Sequence, residues 1–251
     1  MSNFVPKPFN DLSKIALKKA ETVVCWGKTL IVAPHPDDES LGCGGAIALL
    51  RKHNLEVGVL TMSDGTLSHP NSKKFPPEKL RDIRESEMIA ALEILGVSSD
   101  KVKFLRLGDR RVPGENATDF TAAVETIKDF LAADQPETIV VPWRRDPHPD
   151  HRATWQIFSA ANDLFDVKFR ILEYPIWLWE MAETKDLPRE NEIEIWRLDV
   201  SETIEKKQRA IHAHLSQTTD LIDDDPNGFR LSPEVLAHFA APFEIYLEEI
   251  K

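Results

Sequence analysis

TLIVAPHPDDESLGCGGAIALLRKH, residues 29–53, decides how this chain folds. The unbroken apolar run TLIV reads as a strand buried on both faces, as in a parallel sheet covered by helices. SLGCGGAIALLRKH (40–53) reads as the helix that follows it. Between them stand a histidine, two prolines and three consecutive acids. Neighbouring carboxylates repel one another and pack badly, so their position just past the end of a strand asks for a cation.

Outward from this stretch the same alternation recurs. LEVGVLTMS (55–63), VKFLRL (102–107), TIVVPW (138–143), VKFRILEYPIW (167–177) and EIEIWRLDV (192–200) read as strands. Helical patterns cover 77–96, 119–134, 150–165 and 201–217, with Pro77 opening and Gly96 closing the first of these and Ser201 as N-cap of the last. This order predicts an α/β fold: a doubly wound, Rossmann-like, mostly parallel sheet with helices on both faces. Leu12, Ile15, Ala16, Ala20 and Val23 share one helical face, which predicts an N-terminal helix over 10–25 packed on the sheet. The 251 residues are read as a single domain, 1–251, with a core of about 27–217 and the N-terminal helix and C-terminal segment as appendages.

Composition narrows the function. Apolar residues make up 42% and charged residues 29%, ordinary for a globular protein. A net charge of −11 argues against a general nucleic-acid binder, whose footprint is basic. Cys25 and Cys43 form neither a zinc motif nor a disulfide framework. No apolar stretch suits a signal peptide or an integral membrane segment. The expectation is a cytoplasmic enzyme acting on a small molecule, with a homo-oligomer left open.

A second polar cluster, DPHPDHR (146–152), also follows a strand. In a doubly wound sheet such loops meet in the crevice beyond the strand ends. A catalytic zinc takes three protein ligands from histidine and carboxylate and keeps one position for water. His35, Asp38 and His151 would make such a set. Asp37 would stay uncoordinated, near enough to accept a proton. Two histidines and a carboxylate also suit Fe2+, so a non-heme iron oxygenase is an alternative, as is a nucleotide-binding module without catalysis.

PHPDDE in the first loop and HPDHR in the later one resemble the PIG-L/LmbE family of metal-dependent N-deacetylases. SDGT (63–66), RESEMIAALEILGV (84–97) and KQRAIHAHLSQ (207–217) extend the resemblance over about 27–217. It implies zinc on His35, Asp38 and His151, Asp37 as general base, His148 as the neighbour that stabilises or protonates, and Asp150 tuning His148. It also implies an N-acetylglucosamine-type substrate; an amidase releasing a different acyl group is the near alternative. The two tyrosines, Tyr174 and Tyr246, lie away from HPDH.

Other residues carry weaker expectations. Arg84, on the helix with the family pattern, and Asp64, after the second strand, are candidates for binding substrate. Gly42, Gly44 and Gly45 lack the GxGxxG spacing and read as glycines that let a helix start close to the metal loop. Arg144 and Arg145 flank the second motif. Trp177 and Trp179 could stack on a sugar, and His214 and Gln217 could close the pocket. The acidic loop 220–228 reads as solvated.

Overall fold

The computed structural model describes residues 11–189 and 191–250. Eight strands form one sheet: β1 (Ala16–Lys18), β2 (Thr29–Ala33), β3 (Val57–Ser63), β4 (Val102–Leu107), β5 (Thr138–Pro142), β6 (Arg170–Tyr174), β7 (Ile193–Asp199) and β8 (Phe243–Glu249). Their order across the sheet is β1-β7-β8-β6-β5-β2-β3-β4. β8 runs antiparallel to both neighbours, and the other pairs are parallel.

The helices are α1 (Asp38–Lys52), α2 (Pro77–Leu95), α3 (Phe120–Asp134), α4 (Pro149–Asp163), α5 (Ile204–Ala213), α6 (Leu215–Thr218) and α7 (Pro233–His238). Helices α1, α2 and α5 bury one face of the sheet, and α3 and α4 the other. Every residue of β2 and β5 is buried. Alternate side chains serve opposite cores: Ile31 and Val140 pack under α1 and α2, while Leu30, Val32, Ile139 and Val141 pack under α3 and α4. That is the physical origin of the unbroken apolar runs in the sequence. From β2 the chain moves outward to β3 and β4, then returns to place β5 on the other side of β2. The reversal makes β2/β5 the switch point of the sheet, where ligands bind beyond the strand ends.

Two expectations fail. The predicted helix over 10–25 is instead two 3₁₀ turns around β1, which pairs with the outer side of β7. Within 20–26 only Val23 and Trp26 are buried, three residues apart, and the lysines stay outside or, as Lys18, lie over the Trp196 ring. The backbone groups of an uncovered β7 supply the stronger demand. The C-terminal segment is no appendage either: β8 sits between β6 and β7. Its Glu244 accepts the Gly45 and Ala46 amides of α1 and pairs with buried Lys207 of α5 at 2.8 Å.

Smaller differences have local causes. The predicted helix 201–217 breaks at His214, and its N-cap is Thr203, because Ser201 is held in a turn by Asp199. Gly96 ends α2 in the left-handed conformation, as read. Gly42 and Gly45 allow α1 to approach its neighbours: an added Cβ would lie 2.2 Å from the Tyr174 ring and 2.6 Å from Val200. No helix among the described residues is long and apolar enough to cross a membrane.

Candidate metal centre and active-site cleft

Both polar motifs land at the carboxyl ends of β2 and β5. Asp38 stands at the start of α1, and the His35 backbone N–H donates to its Oδ2 at 3.0 Å. The same oxygen lies 3.3 Å from His35 Nδ1 and 3.3 Å from His151 Nε2. One carboxylate oxygen thus sits between two imidazoles from segments far apart in the chain. His148 completes the cluster, its ring centroid 4.7 Å from that of His35 and 5.0 Å from that of His151.

Asp37, Asp38, Asp109, Asp146 and Asp150 are all buried here, and Arg84 is the buried guanidinium that faces them. Burial alone would keep His151 neutral, yet Asp38 and Asp146 more than offset it and lift its pKa to about 9. His35 is likewise raised, against its burial, by Asp109, Asp150 and Asp38. Asp38 is pulled below the ordinary carboxylate range, chiefly by His151, in spite of its burial. The pocket therefore draws more positive charge than Arg84 alone supplies, and His35 and His151 are pushed towards holding protons. Both ring nitrogens of His151 are buried and make no well-formed hydrogen bond, with the Asp38 and Asp146 carboxylates 3.3 Å away on either side. A divalent cation satisfies both demands, and the donor set of two imidazoles and a carboxylate suits zinc or iron. Among the described residues, His35, His148 and His151, and likewise His35, Asp109 and Asp150, bring ligand atoms close enough together to hold such an ion, and Asp38 Oδ2 adjoins the first group through His35 and His151.

Asp37 is strained and held from two sides. Its backbone sits at φ 134°, ψ −30°, a conformation unfavourable to a residue with a side chain. Glu39 Oε2 accepts its N–H at 3.0 Å, and Arg84 Nη2 donates to its Oδ2 at 3.1 Å. Arg84 also donates to the Pro36 and Gly65 carbonyls, and Gly65, at φ 63°, leaves no room for a Cβ beside the guanidinium. Burial, opposed by Arg84, lifts the Asp37 carboxyl to about 6. Glu39 Oε1 in turn accepts from Ser40 Oγ at 2.7 Å and lies 3.1 Å from His214 Nε2. His214, between α5 and α6, so braces the first loop from across the fold.

His148 caps α4: its Nδ1 accepts the Asp150 N–H at 3.2 Å. That bond fixes the tautomer with the proton on Nε2. Burial, His151 and His35 together lower its pKa to about 3, so the ring is a neutral donor on the cleft wall.

Other assignments move. The Asp150 carboxylate is not on His148. It lies 3.1 Å from His35 Nε2 and accepts the Arg110 and Val112 amides, and only its backbone touches His148. Asp64 is spent on its own loop, where Oδ1 accepts from Thr66 and from the Asp109 N–H. Arg84 reaches the cleft but is committed to the Asp37 loop. Arg144 pairs with Glu173 and Arg145 with Glu192, away from the cleft. Trp177 lines the cleft, whereas Trp179 stacks on His238. The Gln217 side chain lies against Ser68, and its backbone carbonyl accepts the Leu231 N–H. Both tyrosine hydroxyls are buried and engaged elsewhere, on the Val32 carbonyl and on Glu244.

Two functional candidates had no assigned role. Asp146 Oδ1 lies 3.3 Å from His151 Nδ1 and orients that ring, while its Oδ2 accepts the Trp177 N–H. Asp109, just past β4, lies 3.4 Å from His35 Nε2 and is held near pKa 2 by that ring, against its burial. Its signal was an acid beyond a strand's carboxyl end, the same one that marked Asp38.

Residues 30–162 match the family model described as "PIG-L: GlcNAc-PI de-N-acetylase". The chain is 30% identical to a diacetylchitobiose deacetylase of Thermococcus kodakarensis over 59% of its own length, and spans 48% of that protein. It is 26% identical to a probable N-acetyl-alpha-D-glucosaminyl L-malate deacetylase of Bacillus subtilis, over 83% of this chain and 91% of that one. Among solved structures, N,N'-diacetylchitobiose deacetylase from Pyrococcus horikoshii superposes with a TM-score of 0.61 at 25% identity, covering 78% of this chain and 72% of the other.

Proposed function

The chain belongs to the PIG-L family and is a hydrolase of the amide bond; on that premise we propose that it deacetylates an N-acetylglucosamine-type sugar conjugate, using zinc on His35, Asp38 and His151 and Asp37 as general base. The observation that carries this reading is the Asp38 oxygen between two imidazoles, 3.3 Å from each, with Asp37 beside it in a strained backbone conformation and steadied by Arg84 through one carboxylate oxygen.

Held by His35, Asp38 and His151, a divalent cation would supply the charge that acidifies water and polarises the amide carbonyl. Arg84 holds Asp37 Oδ2, which leaves Oδ1 to take the proton of the attacking water. Neutral His148 donates from Nε2 to the oxygen that gains charge, a contribution of roughly 3 kcal/mol for a preorganised donor. Asp37 then returns its proton to the departing amine, giving a carboxylic acid and a free amino sugar. Asp146 and Asp150 orient His151 and His35 without touching substrate. The free cysteines, exposed Cys25 and buried Cys43, fit a cytoplasmic setting.

The test is acetate release from N-acetylglucosamine conjugates, with metal content measured on the same protein purified without chelator. We expect acetate release that chelation abolishes and zinc restores. Release of only longer acids would favour the amidase alternative. Bound iron with oxygen consumption would replace the reading by an oxygenase.

A further inference from the structure

The cleft above the metal ligands has a volume of about 220 Å³, and much of its wall is apolar. Leu41 and Leu231, 2% and 5% exposed, line its depth. Leu67, Met181 and Phe229, 40%, 50% and 37% exposed, stand at its mouth, with Trp177 edge-on to Phe229 at 5.8 Å. One aromatic ring suffices to stack the apolar face of a sugar. Aliphatic side chains from three separate loops, together with Leu41 of α1, exceed that need. Exposed apolar side chains gathered at one opening mark a binding surface.

The wall is built rather than incidental. The 64–75 and 219–231 loops carry Leu67, Phe229 and Leu231, and they are tied together. The Phe229 N–H donates to the Ser68 carbonyl at 2.6 Å. Asp224 accepts from Ser72 Oγ and from the Lys73 and Lys74 amides, and Asp225 accepts the Asn71 amide at 2.8 Å. The acidic loop read as solvated is thus the fastening of this wall.

Resting on the deacetylase reading, we propose that the substrate is an N-acetylaminosugar glycoside with an apolar aglycone, alkyl or aryl, and that Leu67, Trp177, Met181 and Phe229 form its subsite. The geometry selects the aglycone over a long acyl chain. The reacting carbonyl belongs at the metal ligands in the depth of the cleft, so a group on its carbon stays enclosed there. The nitrogen joins the sugar beside the carbon that bears the aglycone, and that side leads to the mouth. Exposed Arg110 also lines the cleft, which makes an acidic aglycone the competing occupant.

The experiment measures binding by calorimetry on the metal-loaded protein. It uses deacetylated product analogues, methyl and hexyl 2-amino-2-deoxyglucosides and a carboxyalkyl glycoside of equal length, so that affinity is read without turnover. We expect the hexyl glycoside to bind at least roughly tenfold tighter than the methyl, as burial of about two methylene groups supplies. Phe229→Ser and Met181→Ser should each shrink that ratio. Val167→Ser, at an 83% exposed apolar site elsewhere, should leave it unchanged. Equal affinity for methyl and hexyl glycosides, or tighter binding of the carboxyalkyl glycoside, overturns the proposal. A parallel acetate assay on the N-acetyl methyl glycoside tests the deacetylase reading separately. If longer N-acyl chains raise kcat/KM while longer aglycones do not, the acyl group is the occupant and the aglycone assignment falls.

Discussion

The depth of the cleft and its mouth are built on opposite principles. In the depth, the polar groups are buried and held by more than one partner: Asp38 by two rings and a backbone amide, Asp37 by Glu39 and Arg84, His151 by Asp38 and Asp146. At the mouth the side chains are apolar and partly exposed, and the loops beneath them are fastened by carboxylates on backbone amides at the surface. Reaction chemistry tolerates errors of only fractions of an ångström, so its groups are over-determined. Substrate choice rests on non-directional burial, which needs area rather than angle.

The sharpest break in this contrast is Asp37→Ala. It should cut kcat by about a thousandfold or more while metal content, read by elemental analysis, is retained. A variant with near-normal turnover would remove Asp37 from the mechanism. Next, Asp146→Asn leaves all three proposed ligands but disturbs His151, and zinc affinity in competition with a chelator should fall ten- to a hundredfold. Unchanged affinity would make Asp146 merely structural. Glu39→Gln retains one acceptor but cannot serve the Asp37 amide, Ser40 and His214 together. A loss of about 1–3 kcal/mol in stability and a roughly tenfold lower kcat with KM unchanged should follow. A change confined to KM would refute positioning through the Asp37 loop.

The smallest effect belongs to the mouth. Asp224 is lowered to about 2, first by Ser72 and then by the Lys74 and Lys73 amides, from an ordinary 3.8. A depressed folded-state pKa means the fastening is complete above 3.8 and is lost as pH falls towards about 2. Hydrogen-exchange protection of residues 71–74, corrected for intrinsic rates, should decline across that window before protection in β2 and β5 does. Simultaneous loss would show that depth and mouth open as one unit.

Local pattern carried the parts of this architecture that a short segment can encode. A strand buried on both faces must be apolar throughout, so β2 and β5 announced themselves, as did the acids and histidines at their ends. Asp150 shows where local reading stops: its sequence neighbour His148 looked like its partner, but its carboxylate turns to His35, 115 residues away. Glu39 and His214 meet across 175 residues, and nothing in either segment names the other. β1 and β8 went unread because edge pairing and an antiparallel insertion satisfy backbone groups, which leave no mark in side-chain periodicity.

The sequence by itself determined the alternating fold, the two polar loops at its switch point and the residue types able to grip a cation, because periodicity and strand-end chemistry are short-range properties. Only the tertiary structure decided which carboxylate braces which ring, which arginine is committed to backbone, and that two distant loops raise an apolar wall over a charged floor. Those pairings depend on where the sheet order and its crossovers bring remote segments together in space.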